Sequence, residues 1–168
     1  MTMLKAIVAV ANNNGIGLNN HLPWPKIPED FDYFKNQTIN QIIFMGSSTW
    51  LSLPKRPLPK RTNIVFSGKS KENFIEADEV ICPCDTNVIN NLKEMCQSTG
   101  KNVFIIGGKQ TWEAFKNDIQ EWHVTRVLQD FQSDTFLDID NMLTNKKLIT
   151  SNKIKSISNI DIQIEVWR

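Results

Sequence analysis

Residues 4–11 read LKAIVAVA, a nearly unbroken run of small and β-branched apolar side chains. The run is too short for a buried helix of ordinary length and reads as a core strand. A strand apolar on both faces needs cover on both sides, which points to helices flanking a largely parallel sheet. The rest of the chain supplies such helices in alternation with strands. Gln41 to Met45, Thr62 to Ser67, Val80-Ile81 and Val103 to Ile106 read as further strands, and Pro28 to Thr38, Ser47 to Ser52, Asn87 to Gln97 and Gln110 to Phe115 as helices. In the first helix, proline suits the opening turn, Glu29 and Asp30 meet the positive end of the dipole, and Phe31 and Phe34 share a face. Glu121 to Leu128 reads as a strand, followed by two segments of polar–apolar alternation, Lys147 to Ser156 and Asp161 to Trp167. The expected fold is α/β: a central mixed, mostly parallel sheet flanked by helices, with a C-terminal antiparallel hairpin.

A length of 168 residues without repeats or a low-complexity linker predicts one domain over 1–168. Nineteen Lys and Arg against eighteen Asp and Glu leave a formal charge of +1, so no basic field steers the chain toward nucleic acid, and small molecules are the expected partners. Cys82, Cys84 and Cys96 are odd in number, Cys82-Pro83-Cys84 is too tight for a usual zinc pair, and only two His exist to complete one. Neither a metal site nor a disulfide is expected. The first ten residues lack the pattern of a secretory signal, and no apolar stretch reaches membrane-spanning length, so the expected setting is a reducing cytoplasm away from membranes.

Open α/β sheets bind ligands beyond the carboxyl ends of their strands, which directs attention to the loops after Ala11, Met45, Ser67 and Ile106. Asn12 to Gly17 collects residues that tolerate left-handed backbone, Asn14-Gly15 is a turn signal, and a long loop runs on through Leu22-Pro23-Trp24-Pro25. At Gly107-Gly108, two residues without Cβ let the backbone approach a ligand and the next helix offer N–H groups to phosphate; an ordinary strand-to-helix turn has the same sequence. Gly46-Ser47-Ser48-Thr49-Trp50 repeats the logic with hydroxyl donors, which serve equally as caps without a ligand. Neither segment matches the six-position glycine fingerprint of dinucleotide-binding folds or a P-loop. Asp30 either caps its helix or faces an apolar cleft, where a carboxylate accepts a fork of two N–H donors from a heterocycle. Arg56 and Arg61 flank Pro57-Leu58-Pro59, either as a rigid carboxylate clamp or as a solvated basic loop. Trp24 reads as a core plug or as the wall of a site whose N–H holds water. His21 and His123 are isolated and receive no catalytic role.

Taken in order, these segments resemble the dihydrofolate reductase family over nearly the whole chain. The markers are Ala6-Ile7-Val8-Ala9, Gly15-Ile16-Gly17, Leu22-Pro23-Trp24, Asp30 with Phe34 and Thr38, Met45-Gly46 with Thr49-Trp50, Arg56-Pro57-Leu58-Pro59 with Arg61, Ile105-Ile106-Gly107-Gly108, and Thr125. The resemblance implies NADPH-dependent reduction of 7,8-dihydrofolate in support of one-carbon metabolism and thymidylate synthesis. It implies dihydrofolate and antifolate-type small molecules as ligands of a monomer. Asp30, Trp24, Leu22 and Thr125 then form the catalytic set: Asp30 with Thr125 binds the pterin amino group and ring nitrogen, Trp24 orders water, and Leu22 tips a loop over Asn12 to Ile27 that excludes solvent. Ile7, Val8, Phe31, Phe34, Leu53, Arg56, Leu58, Arg61, Ile106 and Trp112 are the implied substrate contacts, Arg61 pairing with the glutamate carboxylate. Ala9, Ile16, Gly17, Gly46, Ser47, Ser48, Thr49, Ser67, Gly68, Lys69, Gly107, Gly108, Lys109, Gln110 and Thr111 are the implied cofactor contacts, with the Gly107-Gly108 peptide cis.

Three positions depart from the family pattern. Ser47 stands where many relatives place a base for the adenosine 2′-phosphate, and Lys69 is the replacement charge on offer. Lys109-Gln110 follows Gly107-Gly108 where many relatives have a third glycine and a basic residue. Trp112 takes a place usually held by Tyr or Phe. A related reductase of riboflavin synthesis is the nearest alternative enzyme, opposed by Asp30 and Arg61, and a ligand-binding protein without turnover is the alternative of another class.

Overall fold

Leu4–Ala11 forms the first strand, β1, with all but Lys5 and Ala9 buried, as its uniform apolar sequence requires. The structure, a computed structural model, describes residues 2–168. Further strands are Gly15–Gly17 (β2), Ile42–Gly46 (β3), Thr62–Phe66 (β4), Glu79–Ile81 (β5), Val103–Gly107 (β6), Glu121–Val127 (β7), Thr135–Phe136 (β8), Leu148–Ile154 (β9) and Ile162–Trp167 (β10). The helices are Pro28–Thr38 (α1), Ser47–Ser52 (α2), Val88–Thr99 (α3), Lys109–Ala114 (α4) and Ile139–Met142 (α5). Eight strands form one sheet in the order β5-β4-β3-β6-β1-β7-β10-β9, and β2 pairs with β8 separately. The predicted α/β class is therefore correct.

The chain divides into two compact units. The first comprises residues 2–5 and Thr38–Gln120. In it β5, β4, β3 and β6 run parallel, with Ile42 level with both Thr62 and Val103. Ile42 to Met45 are all buried, and Phe44, Phe66 and Phe115 pack ring against ring at 5.3 to 5.5 Å. The second comprises Ala6–Gln37 and Glu121–Arg168. Here β10 lies antiparallel between β7 and β9, and Ala11, Trp24, Ile27, Val127, Ile160, Ile162 and Ile164 build a core.

Several features lacked a local signal. Asn12 to Gly17, read as loop, contains β2, because its partner β8 arrives from far along the chain; Leu137 N–H donates to Asn14 O at 2.9 Å beside it. Helix α4 starts one residue early, at Lys109. The expectation of no disulfide is corrected: Cys82 and Cys84 are bonded, because the turn after β5 brings their Cα atoms to 5.1 Å and aims Cys84 N–H at Cys82 Sγ. Cys96 is free and buried. Among the described residues no helix is long and apolar enough to cross a membrane.

The Pro-rich connection between α2 and β4 is held by Asn63, whose side chain is fully buried inside β4. Its Oδ1 accepts from Leu58 N–H and its Nδ2 donates to Leu58 O, both at 3.0 Å, and Nδ2 also reaches Arg61 O at 3.0 Å. The amide thus replaces a strand partner for a segment in which prolines have removed N–H donors. Asn63→Ala leaves a buried N–H and C=O of Leu58 unpaired and is expected to cost about 3 kcal/mol. Urea denaturation checks this; an unchanged midpoint contradicts it.

Candidate active site

In the second unit the site begins with α1 laid on β7. Asp30 stands in the first turn of α1, where its own N–H donates to Ile27 O at 3.1 Å, and its Oδ1 accepts from Thr125 Oγ1 at 2.7 Å. Desolvation raises Asp30 above the ordinary carboxylate range, opposed by the Thr125 hydrogen bond. Sequence left Asp30 between a cap and a cleft carboxylate. Its part-buried contact across to β7 favours the second, because a helix cap gains from solvation and needs no partner on another element.

Phe31 and Leu22 are among the exposed large apolar residues, at 40% and 42%, and Lys26 Nζ sits 5.1 Å from the Phe31 ring. Phe34 is half-buried on the same helix. Trp24, by contrast, is buried in the core with its ring edge-on to Phe131 at 5.9 Å, so its packing is that of a plug. On β1, Ile7 and Val8 are buried and Ala9 is half-buried against the core; Ile16 and Gly17 lie on β2.

In the first unit two glycine turns are pressed together. A Cβ at Gly107, whose φ is +137°, would lie 2.9 Å from Thr49 Oγ1, and one at Gly46 would lie 3.1 Å from Thr111 Oγ1. Only hydrogen fits at Gly107, and its backbone conformation is one that side chains rarely adopt. The Gly107–Gly108 peptide is cis, as the resemblance implied, and so is Arg56–Pro57. Neither Gly46 ahead of α2 nor Gly108 ahead of α4 gives its helix a side-chain cap, so first-turn amides stand beside the hydroxyls of Ser47, Ser48, Thr49 and Thr111. That donor set suits phosphate oxygens. Lys109 and Gln110 are exposed at the start of α4.

Trp112 is buried rather than lining an open surface: its Nε1 donates to Ile105 O at 3.1 Å, and a ring atom lies 3.4 Å from the position of a Gly107 Cβ. The large ring thereby backs the Gly107 turn, while Ile106 is half-buried on β6. Ser67 N–H donates to Ile81 O at 3.0 Å and Ser67 Oγ accepts from Lys69 N–H at 3.1 Å, which shapes the turn around Gly68 and leaves the Lys69 side chain exposed. Arg61 is more organised than a solvated basic loop. Its Nε donates to Pro59 O at 3.0 Å, its Nη1 to the buried Thr38 Oγ1 at 3.2 Å, and burial lowers its pKa. Arg56 is exposed, Leu58 buried and Leu53 half-buried after α2.

Sequence reasoning missed one polar chain beside Asp30, buried at its centre. Tyr33 Oη meets His123 Nδ1 at 2.5 Å, His123 Nε2 meets Glu121 Oε1 at 2.6 Å, and Glu121 Oε2 accepts from Arg168 Nε at 2.6 Å. Burial, then the charges of Glu121 and Asp30, push the Tyr33 phenol up to about 12. The available signal was the strict alternation of Glu121, His123 and Thr125 on one strand face.

The dihydrofolate reductase family model matches residues 3–166. Among known proteins, the chain is 38% identical over 160 residues to a viral dihydrofolate reductase of Saimiriine herpesvirus 2 (strain 488), covering 88% of this chain and 73% of that protein. It is 33% identical over 167 residues to dihydrofolate reductase type 9 of Escherichia coli, covering 95% and 93%. It is 36% identical over 183 residues to the Rattus norvegicus dihydrofolate reductase, covering 98% and 96%.

The raised pKa of Asp30 carries a stability consequence. An acid harder to ionise when folded lowers stability as pH rises through the unfolded value, about 3.9, toward the folded one. Asp30→Asn keeps an acceptor for Thr125 and removes that penalty. Its melting temperature is therefore expected to exceed that of the parent at pH 7, with the margin closing toward pH 3; calorimetry across that range checks it, and a margin independent of pH contradicts it.

Proposed function

The chain belongs to the dihydrofolate reductase family, and from that premise we propose that it reduces 7,8-dihydrofolate to 5,6,7,8-tetrahydrofolate with NADPH, as one domain over 1–168. The observation that carries the reading is Asp30: a half-buried, desolvated carboxylate with a single side-chain hydroxyl on it among the described residues keeps acceptor capacity for a heterocycle's N–H donors. A pterin presents an amino group and a ring nitrogen as such a fork. Desolvation makes that recognition selective, because a ligand unable to donate leaves the charge unpaired.

When bound, NADPH supplies the hydride, from nicotinamide C4 to pterin C6. The residues proposed to hold it are those of the two glycine turns and the Ser67–Lys69 loop, with Ala9, Ile16 and Gly17, and the uncapped amides and hydroxyls around Gly46 and Gly108 support this. Lys69 is assigned the adenosine 2′-phosphate, in place of the base that Ser47 lacks. Arg61, already braced by Pro59 and Thr38, is assigned the glutamate carboxylate, with Arg56 and Leu58 near it in sequence. Asp30 binds and polarises the pterin, and water delivers the proton to N5. Trp24, whose ring packs as a core plug, is assigned the ordering of that water as a second role, and the loop bearing Leu22 excludes bulk solvent. We assign the protein to the cytoplasm as a monomer, with antifolate-type molecules among its ligands.

Dihydrofolate-dependent loss of NADPH absorbance tests the reading. Purified protein is expected to oxidise NADPH, and Asp30→Asn to lose about 100-fold or more in kcat/KM. Folded protein that binds folate yet oxidises neither NADPH nor NADH overturns it in favour of a binding protein. Lys69→Ala is expected to weaken NADPH about tenfold and leave NADH unchanged, a charge-assisted phosphate contact being lost. Equal effects on both donors remove Lys69 from the phosphate site.

A further inference from the structure

The chain Tyr33–His123–Glu121–Arg168, buried at His123 and Glu121 and reaching solvent at Arg168, has no part in the reaction as assigned, yet Tyr33 lies one helical turn from Asp30. Alternation on β7 puts Glu121, His123 and Thr125 on one face, and the register with β10 sets Val166 opposite His123 and Ile164 opposite Thr125. Two steps along that face span roughly 6.6 Å, close to the spacing of i and i+3 side chains on a helix, roughly 5 to 6 Å between Cβ atoms. Asp30 and Tyr33 therefore each meet a β7 side chain: Asp30 meets Thr125 at 2.7 Å and Tyr33 meets His123 at 2.5 Å.

The direction of each hydrogen bond follows from charge. Glu121 is 2% exposed, and its Oε2 is bound by Arg168, which is always protonated. That pair is neutral overall. His123 is itself 5% exposed, and burial disfavours the charged form of an imidazole, which points to the neutral ring. An ionised carboxylate only accepts, which puts the imidazole proton on Nε2, facing Glu121, and leaves Nδ1 as the acceptor. Tyr33 is then the donor to His123. Its hydroxyl proton is committed, and among the described residues Asp30 holds only the Thr125 hydroxyl as a side-chain donor.

We propose that His123 is a positioning residue: by accepting the Tyr33 hydroxyl on Nδ1 it withholds that donor from Asp30 and keeps the carboxylate's remaining lone pairs for the ligand. This rests on the reading that Asp30 binds the substrate heterocycle. Among the described residues, the groups facing the relay include Asp30 from α1, Glu121 and Thr125 from β7, and Arg168 beyond β10. In His123→Phe the phenol loses its acceptor, and Asp30, three residues back on the same helix, is a carboxylate whose charge already acts on that phenol. A ligand must then displace a hydrogen bond that the parent never forms.

The test begins without substrate. Nitrogen-15 spectra of the His123 ring in the ligand-free protein at pH 7 are expected to show a protonated Nε2 and an unprotonated Nδ1. The reverse tautomer or an imidazolium overturns the proposal, whatever the enzyme does. Titration of the Asp30 carboxyl carbon, also ligand-free, is expected to move to lower pH in His123→Phe and to return toward the parent in His123→Asn, whose amide oxygen restores an acceptor. In turnover, His123→Phe is expected to raise KM for dihydrofolate about tenfold, the scale of one hydrogen bond to a charged group, with kcat little changed. The decisive arm is Tyr33→Phe, which removes the donor. In that background His123→Phe should no longer alter the Asp30 titration or KM. Equal effects with and without the Tyr33 hydroxyl overturn the proposal in favour of simple packing. If His123→Phe does not fold, the parent tautomer and the Asp30 titrations of Tyr33→Phe and His123→Asn, both expected near the parent, decide instead. Absence of dihydrofolate turnover with these ligand-free results intact rejects the functional reading and leaves the relay standing.

Discussion

Taking the Asp30 carboxylate out of water is the constraint around which the second unit is arranged. An ionised group in that position is stable only if other structure holds it there. The holding is done by α1 lying on β7, where the helix spacing of Asp30 and Tyr33 matches the strand spacing of Thr125 and His123. The apolar cluster of Trp24, Ile27, Val127, Ile162 and Ile164, with Tyr33 packed against it, supplies the burial that fixes this alignment. Helix and strand are thus registered by hydrogen bonds and fastened by apolar area. The cost falls on stability at neutral pH, where a carboxylate raised by burial works against folding.

In the first unit the corresponding constraint is the absence of side chains. Met45 and Phe44 fill the interior of β3 completely, yet the strand ends at Gly46, and β6 ends at Gly107 in a conformation with φ at +137°. Thr49 and Thr111 take up the space that β-carbons would need. Trp112 then closes the region from behind, its N–H tied to Ile105 O. The bulky residue that departs from the family pattern acts as a support for the turn, which is a packing role.

The sheet was legible because its information is local. Eight apolar residues in a row define β1, and four shorter runs interleaved with helical segments define the parallel strands. Asp30, Gly46 and Gly107-Gly108 were legible as candidates for the same reason: each sits at the boundary of a predictable element. The resemblance then assigned them roles that composition and spacing left open. What stayed hidden depends on distant partners. Nothing near Gly15 announces that Thr135–Phe136 will pair with it, and nothing in RPLPKRTN says that the Asn63 amide will serve Leu58 on both sides. Cys82-Pro83-Cys84 was misread because spacing rules for metal ligands say little about a turn that closes on itself.

His123 shows the same limit at its sharpest. As one of two histidines in the chain it looked isolated, and by sequence distance it is: Tyr33 lies 90 residues before it and Arg168 is the last residue of the sequence. Only Glu121, two positions back, was close, and period-2 alternation alone could have joined them. Burial changes what such a residue means. On an exposed strand, Glu-x-His is a solvated pair with little influence. Under a helix, with an arginine already neutralising the glutamate, the imidazole has one tautomer available and so gives the neighbouring phenol one direction in which to donate. A hydrogen-bond chain of this kind transmits no force and needs no motion. It fixes which lone pairs beside Asp30 are already spoken for, and a carboxylate's selectivity depends on how many remain.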